Sequence, residues 1–565
     1  MSGNEARGTV AIGSHQRVVG LRSFYPTGRE IVVSRLPGAT RTVLARHARG
    51  DVVKAELDMA TGTARFHPGL FSGTYAVEAL GPGGDLLAEE LTTVATHAGE
   101  RPVHGFATSF QLESVPATLA WLRALRCTVV QVYDWMEQYS APLGPRSGWS
   151  DPSNRPVSFQ ALRSLAKGIR EQGAVAHAYA PIYAVDMRFA SAHPELLMYR
   201  NDGAPERLFS SIQLANPANR QWQRHFVATY GSAADVIGFN GFHLDTYGFP
   251  RASLDSNGHF IDMRAGYASF LDAVRAERPS DLVSFNQVNG VPPAIGLAGP
   301  PSFRYCEVWP PNDAWRHLEG LMDRSSGTAG RPGPQAPGGE AVRGTVACYP
   351  PVWGHSEGDS PVQGEARAAS LQTVVLTEAV ATSLGASALL YGDMTGVLRD
   401  PYYPKYERLS PAEATKVLAW HRFSLRCRDL FSDGEDTSWY DIGDENGAVA
   451  LEWDGPVRPE PVGGAIFARV VRTDYVVAVS VLDLSGSPRG LWTEPTEPGR
   501  CRSVRARLLL DDPGRWEAAA AVLGKSEGRF TPLPFVVVPH REGLAAQLEL
   551  PIEAGWSVLR MTRLG

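Results

Sequence analysis

From residue 30 to residue 81 the chain alternates short apolar runs with turn residues. The runs are EIVVSRL (30–36), RTVLARH (41–47), DVVKAELD (51–58), TARFHPG (63–69) and GTYAVEALG (73–81). Turn formers such as Pro26-Thr27-Gly28 and Gly81-Pro82-Gly83-Gly84 separate them. β-Branched runs recurring at about ten-residue spacing predict an antiparallel, immunoglobulin-like β-sandwich over residues 1–100.

The rhythm changes between residues 101 and 430. Strand-like runs HGFATSF (104–110), TVVQVYDW (128–135), AVAHAYAPI (174–182), GFHLDTYG (241–248), LVSFNQVN (282–289), FRYCEVW (303–309), GTVACYPPVW (344–353) and ASALLYGD (387–394) alternate with helical patterns. PATLAWLRALR (116–126) carries Leu119, Leu122 and Leu125 on one face, and SFQALRSLAKGIREQG (158–173) keeps the same period and stops at a glycine. NRQWQRHFVATYG, AGYASFLDAVRAER and PAEATKVLAWHRFSLRCRDLF continue the alternation. Eight strand–helix units predict a parallel (β/α)8 TIM barrel. An open doubly wound sheet is the competitor, and the missing glycine fingerprint counts against it. The Gly/Pro/Ala-rich stretch 325–344 cannot bury a core and predicts a mobile loop within the barrel.

From 431 to 565 strands return in AVALEW (448–453), AIFARVV (465–471), YVVAVSVLDL (475–484), RSVRARLLL (502–510), LPFVVVP (533–539) and GWSVLRM (555–561), predicting a second antiparallel β-sandwich. The expected architecture is multidomain: sandwich, barrel, sandwich.

Composition narrows the function classes. Hydrophobic residues at 43% and charged residues at 20% give a globular balance over 565 residues. Lys+Arg 54 against Asp+Glu 60 leaves a net charge of −6, which gives no electrostatic case for nucleic acid or an anionic membrane. No segment offers about 18 uninterrupted apolar residues, so no membrane span is expected. Five cysteines without a CxxC pair argue against a zinc site or disulfide framework, and reduced thiols are expected. No apolar leader is visible at the start, so the chain as written reads as cytoplasmic; a processed or truncated start would mean secretion. The pattern leaves the oligomeric state open.

In a (β/α)8 barrel the reactive groups stand at the C-terminal ends of the strands. Strand two ends in Tyr133-Asp134-Trp135, strand four in His243-Leu244-Asp245-Thr246, strand six in Glu307-Val308-Trp309 and strand eight in Tyr391-Gly392-Asp393, while strand five supplies Asn286 and Asn289. Carboxylates, amides and aromatic rings together suit a neutral, hydroxyl-rich ligand, because rings stack on sugar C–H faces and polar groups bind hydroxyls. Cleavage of a glycosidic bond needs two carboxyl groups in opposite protonation states, and Asp245 and Glu307 are the candidates. A structural ion pair is the alternative for each. Trp135, Trp149 and Trp309 are stacking candidates, with plain packing as the alternative. His243 is expected to line the pocket or sit as a satisfied core histidine. Asn286, Asn289, Tyr391 and Asp393 are subsite candidates. No metal-ligand pattern stands out, and the chemistry calls for no cofactor.

These residues also resemble a known family. Gly238-Phe239-Asn240-Gly241-Phe242-His243-Leu244-Asp245-Thr246-Tyr247-Gly248 is similar to the nucleophile segment of glycoside hydrolase family 66, which holds bacterial endo-dextranases and cycloisomaltooligosaccharide glucanotransferases. Val132-Tyr133-Asp134-Trp135-Met136 resembles its strand-two motif, and Tyr305-Cys306-Glu307-Val308-Trp309 resembles the segment of its acid/base glutamate. The resemblance implies a retaining double displacement on α-1,6-glucan, with an oligo- or polysaccharide as partner. Asp245 is then the nucleophile, Glu307 the acid/base, and Asp134 a ligand for sugar hydroxyls near the cleaved bond. Cyclising members carry a carbohydrate-binding module within the barrel, and residues 325–344 are too short and polar for one, which favours endo-acting hydrolysis over ring closure. The alternatives are a cycloisomaltooligosaccharide glucanotransferase, a retaining glycosidase of another α-linkage, and a non-catalytic carbohydrate-binding protein.

Overall fold

Ser158, Asn219, Asp262 and Ser410 each stand before an apolar helical repeat, and each caps a helix. Their side chains accept from Ala161, from Gln221 and Trp222, from Ala265 and from Glu413. Ser410 and Glu413 close a reciprocal capping box, with Pro411 in the first turn. Gly238 ends the second of these helices, the one capped by Asn219, at φ 99°, a left-handed conformation that a glycine adopts without strain. The computed structural model describes residues 20–67, 71–209, 211–248, 253–292, 302–326, 344–350, 363–399, 406–442, 447–525 and 528–564. Most of the predicted 325–344 loop lies outside them.

The chain is multidomain and sheet-rich, built around one curled parallel sheet. Its strands are β1 (His104–Ala107), β2 (Val129–Val132), β3 (Val175–Pro181), β4 (Gly241–Asp245), β5 (Leu282–Asn286), β6 (Ser302–Glu307), β7 (Thr345–Ala347) and β8 (Ser387–Leu389). Each pairs in parallel with the next. Just beyond β8, Gly392 pairs in parallel with Phe106 of β1, so the sheet curls until its last strand reaches its first. Helices α1 (Val115–Ala124), α2 (Phe159–Glu171), α3 (Arg220–Ile237), α4 (Met263–Glu277), α5 (Trp315–Ser326), α6 (Gly364–Ser383) and α7 (Pro411–Cys427) intervene or follow. All eight strands fall on the sequence-predicted runs. The eight-helix expectation needs correction: between β5 and β6 the described residues form only a 3-10 turn at Val288–Gly290.

The N-terminal region carries two sheets on a shared core. A five-stranded sheet contributes Val43, Ala45, Tyr75 and Val77, and a three-stranded sheet contributes Ile31 and Val33. One strand here, Leu86–Ala95, escaped the sequence reading. Its Glu89 and Glu90 are both buried, paired with Arg426 and Arg422 of α7. The sheet is also not purely antiparallel, because Phe24–Pro26 pairs in parallel with the end of that strand. C-terminal to the curled sheet, a seven-stranded and a four-stranded sheet share a second core. Trp516–Val522 and Gly543–Pro551 are strands absent from the expected set, their alanine-rich runs lacking the β-branched signal.

α6 was missed for a different reason. Thr373, Val374, Val375, Thr377, Val380 and Thr382 give it strand-like composition and no polar face. It is buried on all sides from Ala369 to Ser383, because the C-terminal region covers it: Thr373 donates to the Glu494 carbonyl at 2.7 Å and Ser383 bonds Ser480 at 2.8 Å. A helix covered all round shows no amphipathic period. Among the described residues, no helix is long and apolar enough to cross a membrane. All five cysteines are buried free thiols.

The N-terminal sheet is tied to the centre by Asp429, which is fully buried. Its carboxylate meets Arg101 at 2.5 Å and His47 at 3.1 Å, and it accepts the Thr74 amide. Burial pushes the Asp429 carboxyl up, but Arg101 and His47 outweigh this and hold it well below the usual carboxylate range. Asp429→Ala leaves buried Arg101 with Asp433 as its remaining partner and His47 without its carboxylate, so urea unfolding is expected to show a loss of about 3 kcal/mol. Because the folded value is depressed, the stabilisation is present above the unfolded value of about 4 and fades as pH falls below it.

Candidate active site

Strand β4 is buried along its whole length, as expected for a parallel strand covered on both faces. Alternation therefore decides which side chains face the interior of the curl. His243 and Asp245 share one face of β4, Ser284 and Asn286 one face of β5, and Tyr305 and Glu307 one face of β6. Cross-strand register puts His243 beside Ser284 and Asn286 beside Tyr305. At the C-terminal ends of these strands Asp245, Asn286 and Glu307 meet.

The Asn286 amide nitrogen lies 2.7 Å from Asp245 Oδ1 and 2.8 Å from Glu307 Oε2, and donates to both. Its Oδ1 accepts the Glu307 amide at 3.2 Å, which fixes the orientation of the side chain. Two carboxylate oxygens on one donor nitrogen can stand no further apart than those two distances laid end to end. Tyr179 of β3 donates its hydroxyl to Asp245 Oδ2 at 2.7 Å. Asp245 thus keeps a donor on each oxygen, while Glu307 is half-buried and faces the opening.

Burial lifts both carboxyls. Asp245 is pushed up to about 6, restrained by the Asn286, Tyr179 and Thr246 hydrogen bonds that favour its charged form. Glu307 is pushed up to about 7, by burial and then by repulsion from Asp245, against hydrogen bonds from Asn286, Trp309 and Tyr349. Between about pH 6 and 7 the pair holds one proton, and the order of the two values puts it on Glu307.

Asp134 stands on the strand-two side with φ 48°, in contact with Arg155 at 3.4 Å. Burial raises its carboxyl to about 7, with Asp151 and Asp245 adding and Arg155 opposing. Tyr133 lies against Tyr179, ring centroids 4.3 Å apart, and Trp309 is half-buried beside Glu307 with its amide on Asn289 Oδ1 at 2.8 Å. Asn289 acts here as a loop brace, at φ 53°.

Other predicted site residues lie elsewhere. Trp135 is fully buried on the helix side, edge-on to Tyr230 and Phe239, with its indole on the Tyr179 carbonyl at 3.0 Å. Trp149 is buried against Phe159 and donates to the Trp135 carbonyl at 3.0 Å. Neither offers an open face for stacking, because both rings fill the space behind the loop that carries Asp134. His243 lies beneath Asp245, hydrogen-bonded to Ser284 at 2.8 Å, and burial pushes it well below the ordinary histidine value. It is a satisfied, neutral core residue. Tyr391 points away from the opening and donates to Glu378 of α6 at 2.7 Å. Asp393 is fully buried as a latch: it accepts the amides of Thr108 and Ser109 at 2.8 and 3.0 Å, where the curl meets its own beginning.

Sequence reasoning missed Tyr179, Tyr349 and Arg155. The signal for Tyr179 was present, since His177 and Tyr179 alternate on a strand that buries both faces. Strand three ends without an acid, so no carboxylate marks it in the sequence. No such signal marks Arg155, which approaches from the loop between β2 and α2. Among the described residues, no group of three or more His, Cys, Asp or Glu is placed to hold a metal ion.

Residues 76–500 match the profile of Glycosyl hydrolase family 66. A cycloisomaltooligosaccharide glucanotransferase of Niallia circulans is 24% identical over 266 residues, covering 42% of this chain and 28% of that protein. A second from the same organism is 23% identical over 258 residues, covering 40% and 26%. The matched stretch is thus little more than a quarter of each relative. The crystal structure of a Paenibacillus sp. cycloisomaltooligosaccharide glucanotransferase complexed with cycloisomaltoheptaose superposes with a TM-score of 0.77, covering 97% of this chain and 100% of that one at 17% identity. An alpha-amylase from Geobacillus thermoleovorans, complexed with acarbose, gives a TM-score of 0.50 at 9% identity, covering 82% and 99%. At these identities the structural likeness is one of fold.

Tyr179→Phe removes a donor that favours charged Asp245. The Asp245 carboxyl, followed by carbon-13 NMR titration, is expected to move up by about one pH unit. An unchanged titration would show that the hydroxyl does not support the charge.

Proposed function

The chain belongs to glycosyl hydrolase family 66, and from that membership we propose that it is an endo-acting enzyme cleaving α-1,6-glucosidic bonds of dextran or isomaltooligosaccharides with retention of configuration. In this reading the curled sheet is the predicted (β/α)8 barrel, residues 1–100 and 431–565 are flanking sandwiches, and the substrate enters at the strand ends.

The observation that carries the reading is the shared Asn286 amide. It holds Asp245 Oδ1 and Glu307 Oε2 no more than about 5.5 Å apart, which fits the ~5–5.5 Å suited to direct attack better than the ~6.5–9.5 Å that an interposed water requires. Asp245, charged, attacks the anomeric carbon. As that bond forms, the bond to the departing glucosyl oxygen breaks, and Glu307 delivers its proton to that oxygen. The resulting glycosyl ester on Asp245 is then opened by water, whose proton returns to Glu307. The Asn286 and Tyr179 hydrogen bonds hold the nucleophile in position, and Asp134 binds sugar hydroxyls beside the reacting bond.

A second reading is transfer rather than hydrolysis. The names of the Niallia and Paenibacillus relatives favour it, since a glucanotransferase replaces water with a hydroxyl of glucan in the second step. The two readings share every residue above and differ in how long an acceptor is held.

Asp245→Asn is expected to reduce turnover of dextran to near background. Glu307→Gln is expected to cost about 10²–10⁴-fold on dextran, and far less on α-glucosyl fluoride, whose leaving group needs no proton. Proton NMR of the first products should show the α-anomer before mutarotation, and sizing them separates linear hydrolysis products from rings. A β-anomer, or substantial turnover in both variants, defeats the assignment. The pH profile should be a bell. Activity rises as Asp245 loses its proton through about pH 6, and falls as Glu307 loses its own through about pH 7.

A further inference from the structure

A cleft of about 570 Å³ lies where the N-terminal sheet, α7 and the C-terminal sheet meet. Arg46, Arg426, Arg529 and Arg560 line it together with Phe530, and Glu78 is the only carboxylate among its described lining residues. It shares no residue with the Asp245–Glu307 site.

The charges there are not balanced. Arg46 is paired with Glu78 at 2.7 Å, and Arg426, almost wholly buried, bonds Glu89 through one terminal nitrogen. The Nε of Arg426 is buried and has no partner. Arg560 donates to the Ala48 carbonyl at 2.6 Å and lies 4.8 Å over the Phe530 ring, yet its own buried Nε is also without a partner. Among the described residues no carboxylate comes within ion-pair distance of Arg560; Asp51 and Glu517 act on it only from further away. A half-buried guanidinium without a counter-charge, at a cleft that Arg46 and Arg426 also line, is a costly arrangement unless an anion in the cleft supplies one.

We propose that this cleft binds a small tetrahedral oxyanion: inorganic phosphate, or the phosphate of a phosphomonoester. Guanidinium groups converge on it from three separate parts of the chain. A tetrahedral anion can accept donors from all three directions, whereas a planar carboxylate offers its acceptors in one plane. The bound anion joins Arg46 of the N-terminal sheet, Arg426 of α7 and Arg560 of the C-terminal strand Trp556–Arg563, so binding stabilises the fold.

The test is isothermal titration of the full chain with inorganic phosphate and, separately, with glucose 6-phosphate. Glucose and chloride at matched ionic strength serve as blanks. Saturable binding of phosphate, together with a rise in thermal midpoint, is expected. Tighter binding of glucose 6-phosphate would identify the phosphomonoester as the preferred source, and tighter binding of phosphate the free anion. Arg560→Gln should weaken binding about tenfold. Glu78→Gln releases Arg46 and should strengthen it severalfold, an effect that mere destabilisation of the fold does not produce. Absence of saturable binding by either anion overturns the proposal, as does equal binding of chloride, or affinity that neither substitution changes.

Discussion

One amide holds the site together. Asn286 donates to Asp245 and Glu307 at once, and this forces two carboxyl groups into a space too small and too dry for two negative charges. Water is excluded from most of that space, so repulsion between the two is weakly screened. Between about pH 6 and 7 the pair carries a single charge. Tyr179 biases that charge toward Asp245, and repulsion from Asp245 leaves the proton on Glu307. The two carboxyl groups thus differ through their surroundings, not through their chemistry.

That constraint needs a rigid frame. Three adjacent parallel strands supply Asp245, Asn286 and Glu307, and their register sets the reach of each side chain. Asp393 latches the seam of the curl by taking the free amides beyond β1. Trp135 and Trp149 fill the space behind the Asp134 loop. Further out, α6 is enclosed between the curled sheet and the C-terminal region, and the buried Asp429 network fastens the N-terminal sheet. The flanking sheets are therefore part of what keeps the centre in place.

Some of the site was legible in the chain because parallel strands are short, apolar and interrupted by polar residues at their ends. Asp245, Glu307 and Asn286 stand out on that basis, and the structure brings them together. Trp135, Trp149, His243, Tyr391 and Asp393 stand out equally, and the structure takes each into packing or bracing. The difference is one of direction: adjacent residues on a strand point to opposite faces, and a bend after the strand end changes which face is which. Tyr179 went unnoticed because its role depends on a neighbour 66 positions away. Arg155 reaches Asp134 only through a loop whose path no local pattern encodes.

The sequence by itself determined the eight central strands and most of the helices between them. Periodicity, capping residues and glycine stops act within a few residues of each other, so they can be read along the chain. It also determined which acids stand at strand ends. Only the tertiary structure decided that α6 is a helix despite its β-branched composition, that Glu89 and Glu90 are buried partners of arginines, and that one amide bridges two carboxyl groups. Each of these is settled by contacts between segments distant in the chain, where burial and pairing override local preference.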